Sequence, residues 1–320
     1  MQRKIAVAVQ ELTEHQREQI CAAAEKNGFE IRFVRSPAND FAFLQEAEVV
    51  FGHLPETAAT SSALKWICTP YAGVDQFMNP GSFANPDAML SNSSGAYGVT
   101  IAEHTIMLLL EILRREPEYR KIVAARKWKR DLIVRSIRGS RVTLMGTGDI
   151  GQETAVRLRA FSPADLTGVN RSGRNPGNLF DRILTGDNWE SVLPETDILL
   201  ISLPGTKEAF HMIGERQLAL LPDGAVIINV GRGSVIDQNA LVSELKKGRL
   251  YAGLDVFEQE PPTTDDPVWE LDNLIITPHT AGNMTLAHTV SRIAELFLED
   301  FDRYCAGEKP RRLIDRNRGY

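Results

Sequence analysis

The stretch from Arg141 to Gly151 limits what this chain can fold into more than any other. Val142, Thr143, Leu144 and Met145 form an apolar, β-branched strand pattern that runs without a break into Gly146-Thr147-Gly148-Asp149-Ile150-Gly151. Ala155, Val156 and Leu158 then carry the spacing of a helix. Each glycine in such a turn has a physical purpose. The first permits the tight bend, the second lets backbone approach a pyrophosphate, and the third lets helix pack on strand. The start of the helix adds N–H groups and a positive partial charge facing the anion. A glycine pattern alone is weak, but a strand before it and a helix after it are the context it requires. Gly146, Gly148, Asp149, Ile150 and Gly151 are therefore the candidate dinucleotide loop.

Around this turn, short β-branched runs alternate with helical patterns, which predicts an α/β chain with parallel sheets. Strands are expected at Ile5–Val9, Ile31–Val34, Val49–Phe51 and Trp66–Cys68, with a helix over Glu14–Asn27 stopped by Gly28. A longer helix from Val99 to about Arg115 is apolar around most of its circumference, so it is expected to be buried between domains or subunits. The segment Arg114–Arg141 is basic; without an aromatic stacking platform it reads as a solvated helix pair on an arm, not a nucleic-acid patch. A second series of strands is expected at Arg141–Met145, Asp165–Val169, Ile198–Ser202, Ala225–Asn229, Tyr251–Leu254 and Leu274–Ile276. Helices are expected over Gln238–Lys247 and about Thr285–Tyr304, and the polar tail Glu308–Tyr320 is expected to lie as a surface strap.

With 320 residues the chain has material for two domains. Its net charge of −6 gives no electrostatic reason to bind nucleic acid or an anionic membrane. Cys21, Cys68 and Cys305 are odd in number and widely spaced, which fits a reducing cytoplasm and no disulfide or metal site. They are expected as small buried hydrophobes. The apolar runs at Ile5–Val9 and Thr105–Leu113, the latter broken by Glu111, are too short for a signal-peptide core and a membrane span respectively.

The end of the second strand bears on which dinucleotide is held. An NAD-selective site places a carboxylate there to accept from the ribose 2′-hydroxyl. Here the sequence reads Val169-Asn170-Arg171-Ser172-Gly173-Arg174, and Asp165 lies at the strand's start. Two guanidiniums and a hydroxyl are suited to a 2′-phosphate. Asn170, Arg171, Ser172 and Arg174 predict NADP over NAD.

Three further strand ends carry chemistry: Asn229-Val230-Gly231-Arg232-Gly233, Leu254-Asp255 through Glu258-Gln259-Glu260-Pro261, and Thr277-Pro278-His279. Ligands sit beyond the carboxyl ends of strands in doubly wound sheets. Reduction of a keto acid needs a guanidinium to clamp the carboxylate, which Arg232 can supply. It needs a proton donor for the carbonyl oxygen, His279. It also needs a carboxylate to hold the second imidazole nitrogen and favour the protonated ring, either Glu258 or Glu260.

These stretches together resemble the D-isomer-specific 2-hydroxyacid dehydrogenase family, in its glyoxylate/hydroxypyruvate-reductase-like branch. Ala72-Gly73-Val74-Asp75, Ile101-Ala102-Glu103-His104, the glycine loop, Ser202-Leu203-Pro204, Val230-Gly231-Arg232-Gly233, Gly253-Leu254-Asp255-Val256, Glu260-Pro261 and Pro278-His279 carry the resemblance, from about Ala72 to Gly282. It implies that the catalytic set is Arg232, Glu260 and His279, the glutamate being the one before proline. It implies a substrate-carboxylate loop at Ala72, Gly73 and Val74, a nicotinamide contact at Asp255, an adenine-side wall at Pro204, and cofactor contacts at Val230, Gly231 and Gly282. The implied fold is two doubly wound parallel-sheet domains, one Rossmann-type and one flavodoxin-like, with a cleft between. Residues 1–98 and 284–320 would form the substrate domain, and 99–283 the dinucleotide domain with a dimerisation arm over about 99–140. The implied activity is reduction of a small 2-keto acid to the D-2-hydroxy acid by NAD(P)H in a cytoplasmic homodimer. Phosphoglycerate, formate or phosphonate dehydrogenation and a nucleotide-sensing corepressor are the alternatives inside the family. Departures are Pro163, where relatives often turn on glycine, and Gly205, where they usually carry leucine. The chain also ends at Tyr320, without the added regulatory domain of many phosphoglycerate dehydrogenases. His104 reads as a packed structural histidine, and Tyr97, Phe77 or Met284 as side chains that set substrate length.

Overall fold

The computed structural model describes residues 2–316 apart from 55 and 80, so the last four residues of the expected tail lie outside the described residues. The chain divides into two compact units, Met1–Tyr97 with Asn283–Tyr320, and Gly98–Gly282.

In the first unit, β1 (Arg3–Ala8), β2 (Phe29–Phe33), β3 (Val49–Gly52), β4 (Trp66–Cys68) and β5 (Met89–Ser91) pair in the order β2-β1-β3-β4-β5. Every pairing is parallel. This is the flavodoxin-like order, with its switch point between β1 and β3. Ile5 to Ala8 are all buried, because helices cover both faces of such a sheet. The helix α1 (Glu14–Lys26) opens with a reciprocal cap in which Thr13 Oγ1 accepts from Gln16 N–H at 3.3 Å and Gln16 Oε1 accepts from Thr13 N–H at 2.8 Å. It stops where Gly28 takes φ 71°. Shorter helices α2 (Phe41–Gln45) and α3 (Glu56–Ala59) follow.

A closing helix, Ala287–Cys305, lays its apolar face on this sheet. Phe297 stacks on Phe51 with centroids 3.9 Å apart, and Trp66 donates from Nε1 to Ser91 Oγ at 2.9 Å. The tail beyond it is not the polar surface strap expected. Leu313 bridges Ser91 antiparallel, Ile314 N–H donates to Leu90 C=O at 2.8 Å, and Ile314 is buried. The Leu313-Ile314 pair supplies apolar burial inside an otherwise charged stretch. Of the cysteines only Cys68 is buried, and burial pushes its thiol up to about 12; Cys21 and Cys305 are half-buried, contrary to expectation, because they lie on the flanks of helices.

The second unit has β6 (Arg141–Met145), β7 (Asp165–Val169), β8 (Arg182–Leu184), β9 (Ile198–Ile201), β10 (Val226–Asn229), β11 (Tyr251–Leu254) and β12 (Leu274–Ile276). Their order is β12-β11-β10-β9-β6-β7-β8, parallel throughout. That is the Rossmann order with one added strand, and the switch point falls between β6 and β9. Helix α4 (Gly98–Leu113) packs on α6 (Asp149–Arg159) and on β10 and β11. It is not buried all round, since Met107 is 40% exposed. The basic arm holds one helix, α5 (Glu116–Ala124), not a pair. Residues 125–140 are irregular and mostly exposed. In the turn before β7, Ser162 takes φ 54° ahead of Pro163, the conformation a glycine would take there. Helices α7 (Glu215–Leu220) and α8 (Gln238–Lys246) complete the unit. Among the described residues no helix is long and apolar enough to cross a membrane.

One ion pair under the tail is nearly dry. Asp300 is fully buried in the closing helix, and Arg312 Nη1 lies 3.1 Å from its Oδ2. Arg311 N–H donates to its Oδ1 at 2.8 Å. Removing the guanidinium strands a buried carboxylate, so Arg312→Met is expected to destabilise the protein by about 3–5 kcal/mol. Denaturant titration of the two proteins checks it; equal midpoints would mean that the pair contributes nothing.

Candidate active site

At the carboxyl end of β6 the chain turns through Gly146 at φ 98°. A Cβ on Gly151 would stand 2.1 Å from Gly146 C=O, so helix and strand can approach this closely only with glycine there. Gly148 is different: a Cβ on it would meet no protein atom within 4 Å. Gly148 is also the N-cap of α6 and offers no side-chain cap, and Asp149 and Ile150 form the helix's first turn. An open cradle at a helix start next to a switch point is what a pyrophosphate requires. The residues present fit a dinucleotide.

The loop after β7 is built by Asn170. Its Nδ2 donates to Thr147 Oγ1 at 2.8 Å and to Arg174 C=O at 2.9 Å, while its Oδ1 accepts from Gly173 N–H at 2.8 Å. The loop is thereby tied to the glycine turn, with Arg171, Ser172 and Arg174 exposed on it. Asp165 is committed elsewhere, to the Thr167 hydroxyl at 2.5 Å and to Arg182 at 3.4 Å. Glu208 was not foreseen here. Hydrogen bonds from its own backbone and from Thr206 hold its carboxyl below the usual range, with the Arg171 and Lys207 cations adding to the effect. Pro204 is exposed just beyond β9, Val230 is buried, and Gly282 is half-buried.

Arg232, Glu260 and His279 follow three neighbouring strands, β10, β11 and β12. Asn229, 1% exposed, shapes the first tip. Its Oδ1 accepts from Gly231 N–H at 3.0 Å and its Nδ2 donates to Arg232 C=O at 2.9 Å. The Arg232 guanidinium donates from Nη1 to Gly231 C=O at 2.9 Å. Gly233 lies so close to Phe257 that a Cβ on it would fall 1.9 Å from that residue's carbonyl carbon, which locks the first two tips together.

His279 Nδ1 lies 2.6 Å from Glu260 Oε2, and Phe257 N–H donates to Glu260 Oε1 at 2.9 Å. The carboxylate is therefore pinned from behind while it orients the ring, and Nε2 is the ring's remaining polar atom. Glu260 is the glutamate that meets this ring, whereas Glu258 Oε1 takes His211 Nε2 at 2.9 Å and Gln238 N–H at 2.7 Å. The side chain of His279 is 52% exposed. An exposed imidazole with a fixed partner can deliver a proton to a bound acid, and a guanidinium two strands away can hold the acid's charge.

Asp255 was expected to meet the nicotinamide; its carboxylate, 2% exposed, is engaged with the His279 loop. Oδ1 accepts from the Thr277 hydroxyl at 2.6 Å and Thr280 N–H at 2.9 Å, and Oδ2 from Ala281 N–H at 3.0 Å. Asn229 and Thr277 stood in the strand-end stretches singled out from the sequence without a role of their own, and Glu208 lay outside them, because a polar residue after a strand or in a loop is ordinary. Ala72, Gly73 and Val74 belong to the first unit, in the loop after β4. Asn92 Nδ2 donates to Ala72 C=O at 2.6 Å and so holds that loop.

Residues 106–281 match the family model "D-isomer specific 2-hydroxyacid dehydrogenase, NAD binding domain". A glyoxylate reductase from Korarchaeum cryptofilum is 34% identical over 236 residues, 71% of this chain and 69% of that protein. A D-isomer specific 2-hydroxyacid dehydrogenase family protein from Aeromonas salmonicida superposes with a TM-score of 0.85 at 29% identity, covering 99% of this chain and 100% of the other. An NADPH-dependent glyoxylate/hydroxypyruvate reductase from Sinorhizobium meliloti, in complex with NADP and sulfate, does so with a TM-score of 0.81 at 25% identity, covering 99% and 100%. The chain belongs to the D-isomer specific 2-hydroxyacid dehydrogenase family and is an NAD(P)-dependent enzyme of it.

Proposed function

We propose that this enzyme reduces a small 2-keto acid of the glyoxylate or hydroxypyruvate kind to the D-2-hydroxy acid, with NADPH preferred over NADH. The observation that carries the reading is the 2.6 Å contact between His279 and Glu260, which follow the two strands next to that of Arg232 and its ordered tip. The cofactor, when bound at Gly146–Gly151, supplies the hydride. Arg232 holds the substrate carboxylate through paired hydrogen bonds and draws charge from the carbonyl. His279 delivers the proton from Nε2 to the carbonyl oxygen, and Glu260 keeps the ring oriented and balances its positive charge. Val230, Gly231, Pro204 and Gly282 complete the nucleotide contacts in this reading, while Asp255 acts behind them by holding the His279 loop. The unit Gly98–Gly282 is assigned the dinucleotide role, and the other unit substrate recognition through the backbone of Ala72, Gly73 and Val74.

The NADPH preference is supported by the loop that Asn170 builds around Arg171, Ser172 and Arg174, and by the engagement of Asp165 away from it. The named reductase from Sinorhizobium meliloti, crystallised with NADP, is consistent with it. A homodimer through the arm is supported by the apolar side chains it leaves open: Trp128 is 90% exposed, Ile133 84% and Val123 65%.

The chemistry is tested by following cofactor oxidation with glyoxylate, hydroxypyruvate and a panel of larger 2-keto acids; no turnover on any of them overturns the reading. His279→Ala is expected to lower kcat by about 10²–10⁴ while leaving the NADPH Kd nearly unchanged. Arg171→Ala is expected to raise the KM for NADPH by about tenfold or more, the size of a lost charge-assisted bond, and to leave that for NADH alone. A wild-type kcat/KM higher with NADH than with NADPH would reverse the cofactor assignment. Gly148→Ala should keep the wild-type melting temperature yet weaken NADPH binding, measured by fluorescence titration, because its methyl group enters the cradle and not the protein. For the dimer, light scattering should give twice the 35.6 kDa chain mass for the wild type and the single-chain mass for Trp128→Glu/Ile133→Glu.

A further inference from the structure

Helix α4 contributes a histidine to the machinery behind the catalytic loop. His104 Nε2 lies 2.9 Å from Thr277 Oγ1 and 3.6 Å from Asp255 Oδ1. The direction of these bonds follows from the atoms. A carboxylate only accepts, so the single hydroxyl proton of Thr277 is given to Asp255 Oδ1 at 2.6 Å. The Thr277 oxygen must then accept from His104, which fixes the proton of that ring on Nε2. The result is a directed chain from His104 to Thr277 to Asp255.

Asp255 is the clamp of the loop that carries His279. Its carboxylate takes the N–H groups of Thr280 and Ala281 on one side of His279, at 2.9 and 3.0 Å. Its own carbonyl takes the N–H of His279 at 2.9 Å. His279 is held at φ 52°, a left-handed conformation that costs an L-residue energy and persists only where its neighbours enforce it. A small rotation of Asp255 therefore moves the imidazole.

We propose that His104 is a positioning residue for His279, acting through Thr277 and Asp255. The proposal rests on the reading of His279 as the proton donor. A histidine placed merely to fill space under the sheet has no need of the Nε2 proton; a positioning histidine does. His104→Leu keeps apolar bulk and removes the donor, and His104→Gln keeps an N–H near the place of Nε2. Thr277→Val and Thr277→Ser make the same distinction at the next atom in the chain.

The experiment measures kcat, substrate KM and NADPH Kd for these four variants, for the His104→Leu/Thr277→Val double variant, and for His279→Ala alongside. His104→Leu and Thr277→Val are each expected to lower kcat by about 10- to 100-fold, the scale of a misplaced catalytic group. NADPH Kd should change by less than about threefold, and His104→Gln and Thr277→Ser should restore kcat to within about threefold of wild type. The double variant should lose little more than the worse single one, because both cut the same chain. Multiplying losses, equal losses in Gln and Leu variants, or wild-type kcat in His104→Leu would each overturn the proposal. If His104→Leu proves thermally unstable, the Thr277 pair decides by the same criterion. An inactive His279→Ala beside fully active His104→Leu and Thr277→Val defeats this inference alone, whereas a fully active His279→Ala defeats the underlying reading and the inference with it.

Discussion

The buried carboxylate of Asp255 is the constraint on which the rest of the site depends. An ionised group at 2% exposure loses its hydration and must recover it from donors fixed in place. Here the Thr277 hydroxyl and two backbone N–H groups provide it, and all of them come from the segment that carries His279. The need to satisfy one charge thus dictates the path of residues 277–281. Parallel register does the remaining work. Asn229, Leu254 and Ile276 are aligned across β10, β11 and β12, so the residues that follow them leave the sheet together. Arg232, Glu260 and His279, distant in sequence, are thereby carried on three adjacent strand ends.

The same parallel architecture explains what could be read from sequence and what could not. Strands β6, β7, β11 and β12 stand at the expected residues, since each is a short run rich in apolar and β-branched residues bounded by turn residues. β5 and β8 were not anticipated: Met89–Ser91 and Arg182–Leu184 are as short as β12 but each includes a polar residue, so neither shows the wholly apolar run that marked Leu274–Ile276. The arm failed differently. Positive charge over Arg114–Arg141 marks a solvated segment, but charge says nothing about whether such a segment coils, and it does so only as far as Ala124. Within the candidate site, the placement of Arg232 and His279 beyond neighbouring strands was legible, because each follows a readable strand. The choice between Glu258 and Glu260 was not, for it depends on how the chain reverses after Phe257, and the residues alone left both carboxylates available.

The cofactor preference proposed for the nucleotide loop rests on distance as much as on charge. Asp165 and Asn170 stand at opposite ends of β7, and a strand rising about 3.3 Å per residue separates them by roughly 17 Å. No side-chain rotation brings the Asp165 carboxylate to the ribose. The tip is instead organised by a neutral amide, whose four polar valences hold the turn closed and tie it to Thr147. A neutral organiser leaves the cationic character of Arg171 and Arg174 in place, with the Glu208 carboxylate close enough to Arg171 to temper it. That carboxylate bears on the proposed preference: an acid beside the guanidinium lowers the positive potential that a 2′-phosphate would meet.

His279 itself shows how strain and function coincide. A left-handed backbone on a residue with a Cβ costs on the order of 1–3 kcal/mol. The conformation survives because bonds on both sides of the residue depend on it: its N–H goes to Asp255 C=O, and the next two N–H groups go to the Asp255 carboxylate. Relaxing φ would break donors away from a buried charge, and each such loss costs as much as the strain relieved. The strained geometry is therefore the lower-energy choice locally. It also turns the ring toward Glu260, where Phe257 N–H has already fixed the carboxylate. A relaxed loop would carry the same three residues at the same strand ends without bringing the imidazole to its partner, and alignment of the strands alone would then not make a catalytic site.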